Sequence, residues 1–329
     1  MNDEQHAQEF LRHIDDDRPW AATRIGLDLL EDEGPGALID ELLVPVQRES
    51  GMRWQSGAYS VAQEHHVTGL VDELLGATST TIGHPDEDAP VITLVCAEGE
   101  WHASAARMTA LRLRTQHWDV RFLGGSVPAD ELESHLRRIA PDALLISCTM
   151  AAALPGAAAT AATARRVGVP VIAGGAAFEL ANGAVNTLGA DAVAATTEVA
   201  SSTLAEWRTN GRPRGGPVPA GDASGERARF GASRRRLVRA VVEQTQGPFR
   251  AQDEAEIDGL LATLDAALLL DDISVLRHHM AWLAERERTA QVLPVPLGQV
   301  VDALARTMAP DLRTSRSYLS DAASELQAG

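Results

Sequence analysis

At 329 residues the chain is long enough for two or three domains, each able to bury its own core. Its 46 acidic against 29 basic residues give a formal charge of −17, a field that repels nucleic acid phosphates and argues against general DNA binding. Cys96 and Cys148 sit inside apolar runs, the N-terminus is acidic, and no apolar run approaches the ~20 residues of a membrane span. The expectation is a cytoplasmic protein in a reduced compartment, with neither membrane nor nucleic acid as partner.

Residues 1–80 carry helical periodicity. Leu27 and Leu30, then Leu38, Leu42 and Val46, recur at three- and four-residue spacings, broken at Gly34-Pro35-Gly36 and near Gly51 and Gly57. This predicts a bundle of about four helices with short connections. After the polar stretch TTIGHPDEDAPV, residues 88–208 change to short β-rich runs: VITLVCA, DVRFLGG, DALLISCT, VPVIAGG and ADAVAAT. Helical stretches separate them, so the segment reads as an α/β domain with a doubly wound, five-stranded parallel sheet. Ligands of such sheets sit beyond the carboxyl ends of the strands, at the switch point. Residues 209–225, rich in Gly, Pro and Ser, read as a flexible linker. From 226 to 329 only amphipathic runs remain, including EIDGLLATLDAALLL and ISVLRHHMAWLAE, which predicts a third, all-α domain.

The turn after the first predicted strand reads Glu98-Gly99-Glu100-Trp101-His102-Ala103-Ser104-Ala105, and the chain has no GxGxxG to suggest a dinucleotide. A neutral imidazole is a good transition-metal ligand, and a carboxylate on its other nitrogen fixes the tautomer. Taken alone, a His in a turn is more often a surface residue. Small residues at neighbouring strand ends, Ser147-Cys148-Thr149 and Gly174-Gly175, add a slot that could admit a ligand tail. In the first segment, residues 61–75 projected as a helix put Glu64 inside the apolar arc of Val67, Leu70, Val71 and Leu74. A carboxylate there needs a partner, and an arginine of the bundle is the ordinary one.

Together these residues resemble the cobalamin-binding fold, whose pattern is Asp-x-His-x-x-Gly, then Ser-x-Thr or Ser-x-Leu, then Gly-Gly. The resemblance implies that His102 is the lower cobalt ligand, Glu100 its partner in place of Asp, and Ser147, Thr149, Gly174 and Gly175 the lining of the slot for the displaced benzimidazole tail. Ala105 stands where the family has Gly. Trp54, nine intervening residues and Glu64-His65-His66 further resemble the Trp-x9-Glu-His-His motif of CarH-like adenosylcobalamin photoreceptors. That likeness implies that Trp54 shields the adenosyl group, Glu64 accepts hydrogen bonds from it and His65 lies nearby. Gln55 follows Trp54 where the repressor branch has His.

The order of parts resembles the photocobilins, in which a CarH-like core is followed by a helical, globin-like bilin domain. This likeness implies a second, non-covalent biliverdin near His278, His279 and Trp282, with Arg234, Arg277 and Arg286 available for its propionates. A plain dimerisation module explains such helices equally well. The resulting expectation is a light sensor in signal transduction, not an enzyme. Photolysis of adenosylcobalamin would rearrange cap and homo-oligomer, and output through direct DNA contact is not expected. The rival is a corrinoid methyl carrier for a methyltransferase system.

Overall fold

Pro45 has no N–H to offer the carbonyl of Glu41, and around it the helical ladder changes step. The computed structural model, which describes residues 3–180, 185–213, 225–289 and 293–328, shows α1 (Asp3–Asp15), α2 (Pro19–Asp32) and the short α3 (Pro35–Ala37). A π-helical stretch, Leu38–Leu43, then leads into α4 (Val44–Gln55), with the Val44 N–H donating to the Ile39 carbonyl. The wider step puts Leu38, Ile39, Leu42 and Leu43 all inside the bundle. Helix α5 (Val61–Thr81) starts on a capping box between Ser60 and Gln63 and buries Val67, Leu70, Val71 and Leu74. Leu27 does not belong to this core. α2 faces inward with Ala22, Gly26 and Leu29, because a side chain at Gly26 would stand 2.5 Å from Leu74, and Leu27 is left on the surface.

The second segment forms the expected doubly wound sheet. Strands β1 (Val91–Cys96), β2 (Asp119–Phe122), β3 (Ala143–Ser147), β4 (Val171–Gly174) and β5 (Ala192–Ala194) are parallel, in the order β2-β1-β3-β4-β5. Helices α6 (Ser104–Arg114), α7 (Ala129–Ile139), α8 (Leu154–Arg166), α9 (Ala176–Leu180) and α10 (Val185–Leu188) make the crossovers, and α11 (Thr197–Asn210) follows the last strand. The order reverses between β1 and β3, so their carboxyl ends open the crevice in which such sheets bind ligands.

Of the predicted linker, residues 214–224 lie outside the described residues. The last segment consists of α12 (Glu226–Thr245), α13 (Ala251–Leu270), α14 (Ser274–Thr289), α15 (Leu297–Thr307) and α16 (Arg313–Ala328). It does not stand apart. The core on one face of the sheet, with Leu132, Leu136 and Ala161, continues without a break into Ile257, Leu260, Leu261 and Leu264 of α13. α13 also packs on the 3-10 turn Ala151–Ala153 that follows β3. The cap is tied to the sheet domain by Arg112 to Asp40 at 2.8 Å and by Ser104 to Asp72 at 3.1 Å. Among the described residues no helix is long and apolar enough to cross a membrane.

Candidate cofactor site

The turn that ends β1 folds around one carboxylate. Glu100 has no exposed surface, and four N–H groups converge on it. Oε1 meets the His102 backbone N–H at 2.8 Å and His102 Nδ1 at 2.6 Å, while Oε2 accepts from the backbone N–H groups of Thr149 at 2.7 Å and Met150 at 2.8 Å. Burial pushes this carboxyl upward in pKa, but the bonds from His102 and Met150 outweigh it and hold the group below its ordinary range. Its glutamate length lets it span from the β1 turn to the loop after β3. His102 shifts the other way, raised first by its bond to Glu100, against burial, with Glu64 of the cap adding attraction through space. With Nδ1 donating to Glu100, the neutral ring carries its lone pair on Nε2. The His102 side chain is 65% exposed, so that nitrogen is open to a ligand.

Beside this turn lies a cavity of about 410 Å³. Ser147, Gly174 and Gly175 line it from the strand ends, Ala105 and Thr109 from α6, and Val44 and Arg48 from α4. Gly175 has φ +103°, and a Cβ on it would stand 2.4 Å from the Cys148 carbonyl, so this bend requires glycine. Thr149, expected in the slot, does not line this cavity: its amide is directed to Glu100 instead. A mainly apolar cavity bordered by Ala105, three residues after an imidazole of fixed tautomer, suits the heterocyclic tail of a cobalt macrocycle. The residues present therefore fit cobalamin.

On the cap side, Trp54 lies in the last turn of α4 and Glu64 in the first turn of α5. The turn between them is pinned by the Tyr59 hydroxyl, which donates to Asp15 at 2.7 Å and accepts from Arg53 at 2.8 Å. Glu64 forms no ion pair with an arginine among the described residues. It accepts instead from Thr68 Oγ1 at 2.7 Å, with the exposed His65 at 3.7 Å. Trp54 is covered from the third segment: Arg286 lies over its ring, and the Trp282 ring is 5.6 Å away.

The His pair of α14 is split. His278 faces outward, with Nδ1 2.7 Å from the Ser274 carbonyl, so it does not share a pocket with its neighbour. His279 stacks on Trp282 at 5.6 Å, and burial pushes its pKa down to about 4. Its Nε2 is buried without a hydrogen-bond partner among the described residues. The arginines expected for propionates are engaged elsewhere: Arg234 with Asp258, Arg277 with Glu325 and Arg286 with Trp54.

Two family models match, each described as a B12 binding domain, one over residues 90–205 and one over residues 7–78. The HTH-type transcriptional repressor CarH of Myxococcus xanthus is 32% identical over 151 residues, which are 44% of this chain. The match spans about half, 48%, of that relative's length. Among solved structures, the monomethylamine corrinoid protein of Methanosarcina barkeri matches with a TM-score of 0.52 at 16% identity, covering 60% of this chain and 96% of that one, a likeness of fold. Both family models end before α12.

Proposed function

Because this chain is a cobalamin-binding protein whose first two segments are B12 binding domains similar to CarH, we propose that it is a light sensor using adenosylcobalamin. The observation that carries the reading is the pairing across the crevice. Below stands His102 with its tautomer set by Glu100; above, the Trp54 and Glu64 motif stands on the cap, with Glu64 near enough to strengthen the basicity of His102. Adenosylcobalamin supplies a cobalt–carbon bond that visible light breaks. His102 would hold the cobalt from below, the cavity at Ser147, Gly174 and Gly175 would take the tail, and Trp54 and Glu64 would meet the upper group. Without that group Trp54 would lack a packing partner, and the cap would be held to the sheet domain by its ties through Asp40 and Asp72, which would have to give way for it to move. A change of homo-oligomer would follow from that movement.

A second, non-covalent biliverdin in the third segment belongs to the same proposal. The buried, unbonded Nε2 of His279 beside Trp282 supports it, and the lack of any cysteine beyond Cys148 rules out a thioether link from this segment. Mixing the protein with biliverdin should then produce red absorption, and no such band would remove this part. The deciding experiment for the first part is illumination of the adenosylcobalamin form with green light, followed by absorption and small-angle scattering. Since the free cofactor is itself photolabile, the spectral change must come with a change in the protein's scattering profile. Identical profiles in dark and light would overturn the sensor reading in favour of the methyl carrier.

A further inference from the structure

Trp54 is gripped from outside the cap. Arg286, in the last turn of α14, lays its guanidinium 3.9 Å from the centroid of the Trp54 indole and donates from Nη1 to the Trp54 carbonyl at 3.0 Å. One side chain thus holds both the ring and the backbone of a residue 232 positions away. Arg286 is only 9% exposed and forms no ion pair among the described residues; Glu256 acts on it through space. A buried cation without a paired carboxylate is costly, and here two indole faces and a carbonyl offset that cost, the second ring being Trp282 at 5.7 Å. The docking extends past Trp54. Thr289 Oγ1 lies 3.5 Å from the Gln55 carbonyl, and Gly57, at φ +78°, passes so close that a Cβ there would stand 3.0 Å from the Thr289 carbonyl.

We propose that Arg286 is a positioning residue for the upper face of the cofactor: it fixes the Trp54 indole in the orientation that packs against the upper group, so the third helical segment completes the cobalamin site. The proposal rests on the assignment of Trp54 to that face. The same segment reaches the lower side too, since α13 packs on Ala151–Ala153, the turn directly after the Thr149 and Met150 amides that hold Glu100. A planar guanidinium can stack on the ring and bond the carbonyl together, whereas an ammonium serves as a point charge. Without it, the indole at a helix end regains its rotamers. A bulky upper group would feel that loss and a small one would not.

The test compares adenosylcobalamin with hydroxocobalamin in the dark, on the full chain, for R286M, R286K, W54A and the R286M/W54A double variant. R286M should weaken adenosylcobalamin binding by roughly tenfold or more while sparing hydroxocobalamin, with R286K in between. In the W54A background R286M should add nothing. Without cofactor, amide hydrogen exchange of residues 52–60 should quicken in R286M. Equal weakening of both cobalamins, or exchange quickened throughout the chain, would mean a structural role only and overturn the proposal. If W54A is selective and R286M is not, the role of Arg286 fails alone; if W54A itself leaves adenosylcobalamin binding unchanged, the upper-face assignment falls and takes this inference with it. Should R286M fail to fold, R286K faces the same outcomes.

Discussion

Replacing Glu100 with Gln keeps the shape and changes one acceptor oxygen into a donor nitrogen, where four N–H groups point inward. Two orientations of the new amide compete. If its NH2 faces Thr149 and Met150, two buried N–H groups are left unpaired, at about 1–3 kcal/mol each. If its NH2 faces His102, only the His102 backbone N–H is left unpaired, because the ring can turn Nδ1 into an acceptor by moving its proton to Nε2. The second arrangement is cheaper, so it should prevail. Its consequence is functional: the lone pair that would meet cobalt is gone. E100Q is therefore expected to lose about 1–3 kcal/mol of stability in urea unfolding of the cofactor-free protein. It should also show weakened nitrogen ligation in electron paramagnetic resonance of the Co(II) form. A stability within about 0.5 kcal/mol of the parent, together with an unchanged nitrogen splitting, would refute the account of this carboxylate.

His102→Ala removes the ligand itself and should abolish the nitrogen splitting and weaken cobalamin binding more than E100Q does, as read by titration. Gly175→Ala places a Cβ 2.4 Å from a carbonyl at φ +103° and should cost about 2 kcal/mol or more in denaturant unfolding, with weaker cobalamin binding because the strand end lines the tail cavity. The folded-state pKa of His279 lies near 4 against 6.5 for the free side chain, so the unfolded chain binds the proton first. The contribution of this one imidazole to stability should be complete well above pH 6.5 and be lost as pH drops toward 4, by about 3 kcal/mol in all. His279→Gln should flatten that part of a stability-versus-pH curve, and an unaltered curve would contradict the buried neutral imidazole.

The sheet was legible because each strand is a short apolar run bounded by turn residues and separated by helical periods, and local pattern is enough to show that. His102, Glu100 and the glycine pair stand out in the sequence only through their likeness to the cobalamin-binding pattern, and the structure pairs the first two and bends the chain tightly at Gly175. What joins them does not stand out. The amides of Thr149 and Met150 reach Glu100 as backbone groups, which any residue type supplies, so Thr149 read as a slot residue instead. Leu27 and Leu29 look alike in sequence, and the close approach of α2 to Leu74 at Gly26 decides which is buried. Arg286 read as a partner for an anion, because nothing local marks a contact with a tryptophan in another segment.

The unbroken core between the sheet and α13 bears on how the molecule can be dissected. A fragment ending at residue 213 would bare the apolar flank that Ile257, Leu260, Leu261 and Leu264 close over, and would also leave the Trp54 indole without its lid. Bare flanks of this kind seek one another, and such a stump would self-associate in dark and light alike. Its molecular weight in solution would record the cut. The third segment is thus a wall of the house rather than an annexe, and the test for light-dependent assembly has to be made with that wall standing.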